Sequence, residues 1–179
     1  MALLVQKYGG TSLAGARRIK HVARRIARKR AEGYDLLVVA SAMGRTTDKL
    51  IRLARSITPN PDERELASLL STGEIVSCSL LAMALKALGV PAVSLTGGQA
   101  GIRTEHFYTG ARIREINPSR ILRELSEGKI VIVAGFQGVT EDMDVTTLGR
   151  GGSDVTAVAL AARLGAERCE IYTDVEGVY

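Results

Sequence analysis

Two apolar runs constrain this chain more than any other feature: "YDLLVVAS" at 34–41 and "KIVIVAGF" at 129–136. Neither alternates with polar residues. Uninterrupted runs of this length suit strands buried on both faces, which is how strands sit in a parallel sheet covered by helices. Parallel neighbours need long crossovers rather than hairpins, and helical patterns fill the spaces between the runs. Residues 15–32 form one such pattern, with Ile19, Val22 and Ile26 on a single stripe. Further helices are expected at 45–57, at 64–70, at 73–89 with Gly89 as the terminating glycine, at 118–128 with Pro118 in the first turn, and at 153–166 with Ser153 or Asp154 near the N-cap. Strands are expected at 2–8, 91–95 and 168–175 as well. Residues 102–108 and 111–116 fit either a hairpin or an irregular excursion. The alternation predicts an α/β protein, a three-layer α/β/α sandwich around a mainly parallel sheet. With 179 residues, no repeats and no linker, it reads as a single domain.

Composition narrows the class. There is no Trp and there are only two Phe, so base stacking on aromatics has little to work with. The net charge is +5, concentrated in "ARRIKHVARRIARKR" at 16–30. That segment reads as the solvated face of an amphipathic helix rather than a nucleic-acid or membrane surface. Cys78 and Cys169 are far apart and lack a C-x-x-C partner, which fits free thiols in a reducing compartment and a cytoplasmic location. No apolar run is expected to span a bilayer. His21 and His106 are the only histidines, and no G-x-S-x-G, H-E-x-x-H, H-R-D or D-F-G motif is present.

The loops after the strands carry the chemistry, because ligands of open α/β sheets bind beyond the carboxyl ends of the strands. After the first strand come Lys7, Gly9, Gly10, Thr11 and Ser12; after the second, Ser41, Gly44, Thr46 and Thr47. "TGGQAG" comes after 91–95, a glycine-rich stretch ending in "LGRGGSD" after 129–136, and "TDVEGVY" after the last strand. Such loops serve either as turns or as backbone nests for anions. The order of Lys7 and its glycines is the reverse of a P-loop, and Asp154 stands where a dinucleotide fingerprint would have its last glycine. Anion-binding loops with two cations, Lys7 and Arg150, and few proton-transfer groups suit phosphoryl transfer. The acceptor they suit best is already a nucleophile, such as a carboxylate.

"KYGGTS" (7–12), "SAMGRTTDKL" (41–50), "STGE" (71–74), "GFQG" (135–138), "TTLGRGGSD" (146–154) and "YTDVEGVY" (172–179) together resemble the aspartokinases of the amino-acid kinase family. The resemblance covers nearly the whole chain in order. It implies transfer of the γ-phosphoryl group of ATP, with Mg²⁺, to the side-chain carboxylate of L-aspartate. The product is 4-phospho-L-aspartate, on the way to lysine, threonine and methionine. By the same resemblance Lys7, Glu74 and Asp154 are catalytic. Ser41, Thr47, Glu74, Arg150, Gly151, Gly152, Ser153 and Asp154 bind the amino acid. Lys7, Tyr8, Gly9, Gly10, Ser12, Thr173, Asp174 and Tyr179 bind the nucleotide. The spacing of "STGE" alone favours a capping box for Glu74, and Asp154 also fits a helix cap. The resemblance further implies that family members continue past this point, with the rest of the ATP site and two ACT-type regulatory domains. Residues 1–179 are therefore expected to be the N-terminal portion of a catalytic domain, inactive alone, with a sheet incomplete on its C-terminal side. The expected partners are ATP, L-aspartate and either a homo-oligomer or an ACT-containing part, with no nucleic acid and no membrane. A non-catalytic assembly unit and a related kinase such as acetylglutamate kinase are the competing expectations.

Overall fold

The structure, a computed structural model, describes residues 2–173. The two apolar runs become neighbouring inner strands, β2 (Asp35–Ala40) and β6 (Ile130–Ala134), in which Leu36–Ala40 and all of β6 are fully buried. β1 (Leu3–Tyr8), β3 (Ala92–Leu95) and β9 (Arg168–Tyr172) join them in the order β3-β6-β2-β1-β9, with every pair parallel. Alternation along the strands splits the core in two. Leu4, Tyr8, Leu36 and Val38 face α1 (Ala16–Ala31) and α3 (Glu63–Ala87). Val5, Leu37 and Val39 face α4 (Ser119–Ser126) and α5 (Gly152–Leu164). The expected sandwich is therefore present, and α1 buries the expected stripe through Ile19, Val22, Ala23 and Ile26.

Three expectations need correction. The two helices expected at 64–70 and 73–89 are one, α3, which starts on the Asp62 cap and ends just before Gly89 (φ 76°). Gly73 does not break it. A Cβ at that position would lie 2.9 Å from the Ala42 Cβ, so the glycine lets the loop after β2 press onto the helix. By length and composition this 25-residue helix is also apolar enough to cross a membrane, against the expectation of no such run. Half of its apolar window is buried in the fold, against β3, β6 and β2. Finally, neither Ser153 nor Asp154 caps α5. The cap is Gly151, in a left-handed conformation (φ 71°), and both side chains lie in the first turn.

Residues 102–116 do pair antiparallel, as β4 (Ile102–Thr104) and β5 (Ile113–Ile116), with an irregularity at Arg103/Thr104. They belong to a second sheet with β7 (Gln137–Val139) and β8 (Val145–Thr147), in the order β5-β4-β7-β8. Buried Thr104 and Thr146 satisfy each other across it, hydroxyl to hydroxyl, at 2.7 Å. Arg64, in the first turn of α3, forks onto Asp144 at 2.9 and 2.6 Å and fastens the β7–β8 turn to that helix. The remaining α-helix, α2 (Thr46–Ile57), packs mainly on α3 and has no fully buried residue.

Candidate functional site

Parallel strands deliver their loops to one edge, and here the loops after β1, β2 and β6 interlock with the start of α5. Gly44 N–H donates to the Gly10 carbonyl (2.9 Å), Ser41 N–H to Tyr8 (3.1 Å), and Gly135 N–H to Ala40 (3.0 Å). A Cβ at Gly10 would stand 2.6 Å from the Ala42 carbonyl oxygen, so only glycine lets the first two loops close on each other.

Beneath this edge lies a cavity of about 290 Å³. It brings together Lys7, Gly10, Ser41, Thr47, Glu74 and Arg150 with Gly151, Gly152, Ser153 and Asp154, residues drawn from separate stretches of sequence. Ala42, Gly44, Phe136 and Gly149 also line it, although no motif singles them out individually as site residues. Phe136 carries the nearest thing to a signal, since it lies in "GFQG". Its φ of 69° is costly for an aromatic residue and is held by hydrogen bonds from its own N–H to the Thr156 hydroxyl and from Leu148 N–H to its carbonyl.

The charges are arranged in two ways. Lys7 is 9 % exposed, and its Nζ stands 2.7 Å from Asp154 Oδ1. That pairing explains what Asp154 does instead of capping its helix. Glu74 is well inside α3, which excludes the capping-box role suggested by its spacing. It is buried, its Oε1 accepts a bond from Ala42 N–H at 3.3 Å, and its Oε2 has no partner among the described residues. Burial pushes its carboxyl up to about 7, against the opposing pull of two backbone hydrogen bonds. Arg150 is exposed at the rim, with no carboxylate partner among the described residues. The cavity thus offers two cations, one orphaned carboxylate oxygen and several hydroxyls, a set matched to a small zwitterion with an extra anion.

The expected nucleotide residues do not all gather there. Gly9 N–H donates to Tyr172 (3.2 Å) at the sheet edge. Tyr8, Ser12 and Thr173 line a second cavity, of about 490 Å³, on the other side of β1. Asp174 and Tyr179 lie outside the described residues. Among the described residues no three His, Cys, Asp or Glu side chains form a metal cage.

Residues 2–179 match the sequence profile of the amino acid kinase family, and the chain belongs to that family. It is 60% identical over 179 residues to the aspartokinase of Geobacillus stearothermophilus, covering 100% of this chain and 44% of that one. The crystal structure of aspartate kinase from Synechocystis superimposes with a TM-score of 0.84 at 51% identity, covering 99% of this chain and 29% of the other. E. coli aspartokinase III in complex with aspartate and ADP superimposes at 0.87 with 28% identity, covering 99% and 50%. The chain therefore spans less than half the length of the curated relatives it matches.

Proposed function

We propose that this chain supplies the acceptor and phosphate-binding side of an ATP-dependent aspartate kinase. The carrying observation is the convergence, in one cavity, of the Lys7–Asp154 pair, the exposed Arg150 and the orphaned oxygen of buried Glu74. In this reading Glu74 holds the α-ammonium of L-aspartate, whose positive charge compensates a carboxylate that burial otherwise disfavours. Arg150 forks onto the α-carboxylate, a planar match that a lysine does not reproduce. Ser41, Thr47 and the N–H groups at the start of α5 orient the rest.

The side-chain carboxylate then attacks the γ-phosphorus. A phosphorus–oxygen bond forms to it as the bond to the β–γ bridging oxygen breaks, and ADP leaves with the electron pair. No proton has to move, since an aspartate carboxylate is already ionised at neutral pH. What opposes the step is repulsion between two anions. Lys7, held by Asp154, places a cation where that charge builds up. Gly10 presents its N–H and Ser12 its hydroxyl to the phosphates, while Gly9, whose N–H is taken by Tyr172, lets the backbone come close to them. Mg²⁺ carried in on ATP needs only one or two protein carboxylates. Asp154 is the one beside Lys7, and the ion would neutralise phosphate charge there.

Assembly is part of the same proposal. An exposed stripe of Val76, Leu80 and Met83 on α3 supports a homo-oligomer or docking of a regulatory part of the ACT type. The free thiols of Cys78 and Cys169 support a reducing, cytoplasmic location.

The test is a chimera in which these residues replace the matched part of the Geobacillus stearothermophilus relative. It is assayed for ADP release with ATP, Mg²⁺ and L-aspartate. Aspartate-dependent release that collapses in Lys7→Ala is expected. Release indifferent to aspartate would defeat the reading.

A further inference from the structure

The loop after β6 is strained where it meets α5, and one buried hydroxyl holds it there. Phe136 has a φ of 69°, in the left-handed region that an aromatic residue rarely adopts. Both of its backbone groups are gripped. Leu148 N–H donates to its carbonyl at 2.8 Å, and its own N–H donates to Thr156 Oγ1 at 3.2 Å. Thr156 is fully buried in α5 and does not line the cavity around Lys7 and Glu74. Its hydroxyl proton is spent on the Gly152 carbonyl, 2.8 Å away, so what it turns to Phe136 is a lone pair. A single oxygen thus ties the strained residue to the first turn of the helix.

The tie fixes a ring. Among the described residues lining the cavity around Lys7 and Glu74, Phe136 carries the one bulky apolar side chain. Its ring lies on Gly152, where an added Cβ would stand 2.7 Å from Phe136 Cδ2. Beside it, a Cβ at Gly135 would stand 2.7 Å from Ser153 Oγ, so two glycines let the loop and the helix close on each other. Without the Thr156 oxygen the Phe136 N–H loses its acceptor, and the residue is free to relax to an ordinary negative φ. That change swings the ring off Gly152 and opens the cavity.

We propose that Thr156 is a positioning residue that limits the length of the acceptor: through Phe136 it shuts the cavity against an amino dicarboxylic acid one methylene longer than aspartate. The inference rests on the aspartate-kinase reading above. L-Glutamate offers the same α-ammonium to Glu74 and the same α-carboxylate to Arg150, so those two residues do not tell the acids apart. The space left for the side chain does, and a bulky apolar wall sets it. A ring free to move sets it loosely, which is why an anchor outside the cavity matters.

The test uses the chimera with the Geobacillus stearothermophilus relative. The KM for aspartate is measured beside the inhibition constant of L-glutamate competing with it. Thr156→Val keeps the shape and removes the oxygen, whereas Thr156→Ser keeps the oxygen. The preference for aspartate is expected to narrow by roughly tenfold or more in Thr156→Val. It should return to the unsubstituted value in Thr156→Ser. Phe136→Gly tolerates the left-handed φ and has no ring to hold, so it should narrow the preference by itself, and adding Thr156→Val should narrow it no further. If the unsubstituted chimera shows no aspartate-dependent ADP release, the parent reading fails and this inference with it. If release is present but the preference is unchanged in Thr156→Val, the inference alone is overturned, and a lowered melting temperature would then make Thr156 a structural residue only. Glutamate that inhibits neither chimera counts as no change. An equal narrowing in Thr156→Ser would assign the effect to packing instead of the oxygen and overturn it too. An unchanged preference in Phe136→Gly would overturn it even if Thr156→Val did not fold.

Discussion

Lys7 and Tyr8 are adjacent in sequence and point into different chemistry. Strand alternation sends Lys7 to the α5 side, into a cavity holding cations and carboxylates together. It sends Tyr8 to the α1 side, onto the floor of a groove whose lining charges are all cationic. The mixed-sign cavity can hold a zwitterion and answer charge as it shifts during a reaction, so each of its charges matters individually. The single-sign groove is a row of arginines on one helix beside two stacked rings, with no carboxylate among its lining residues.

The largest effect should come from Lys7→Ala in the chimera. Turnover is expected to fall by roughly 10²–10³, with little change in the KM for aspartate, because the cation acts where charge develops. Unchanged turnover would erase the distinction between the two cavities.

Glu74→Gln is next, and it acts on stability. Burial pushes the folded carboxyl up to about 7 from its ordinary 4.5, so the folded state holds the proton more tightly than the unfolded one. Stability is then greatest below the ordinary value, falls as pH rises through the window between the two, and stays lower above it. Removing the charge should stabilise the chain by up to about 3 kcal/mol at pH 8 and by almost nothing at pH 4. Urea titrations at the two pH values measure this, and an equal change at both would mean the carboxyl is not perturbed.

Arg150→Lys should raise the KM for aspartate roughly tenfold with kcat nearly intact, the loss of a fork at constant charge. A matching fall in kcat would move Arg150 from holding substrate to stabilising the transition state. Least of all, Arg17→Ala should change stability by under about 0.5 kcal/mol, as expected for one exposed member of a row. A larger loss, by thermal melt, would mean that the row holds the fold together.

The parallel sheet was legible because β2 and β6 are continuous apolar runs, and α1 was legible through Ile19, Val22 and Ile26. β7 and β8 were not. They are three residues long and bury Gln137, Thr146 and Thr147, so no apolar period marks them. The membership of the cavity around Lys7 and Glu74 was readable from motifs, but its internal pairing was not. Nothing local to "GGSD" says that Asp154 reaches Lys7, because only the packing of α5 beside β1 brings them together. Glu74 misled for a related reason. "STGE" has capping-box spacing, but the helix had already begun at Asp62, and burial then gives the carboxylate its character.

The continuity of α3 has a mechanical consequence. At 25 residues it is a rod about 37 Å long. One end is clasped by Asp144 through Arg64, Glu74 is carried near the middle, and Val76, Leu80 and Met83 lie bare further along. A rod has no hinge between these points, so the carboxylate, one residue from the place where the loop after β2 bears on the helix, is held by the same rigid body that carries the exposed stripe.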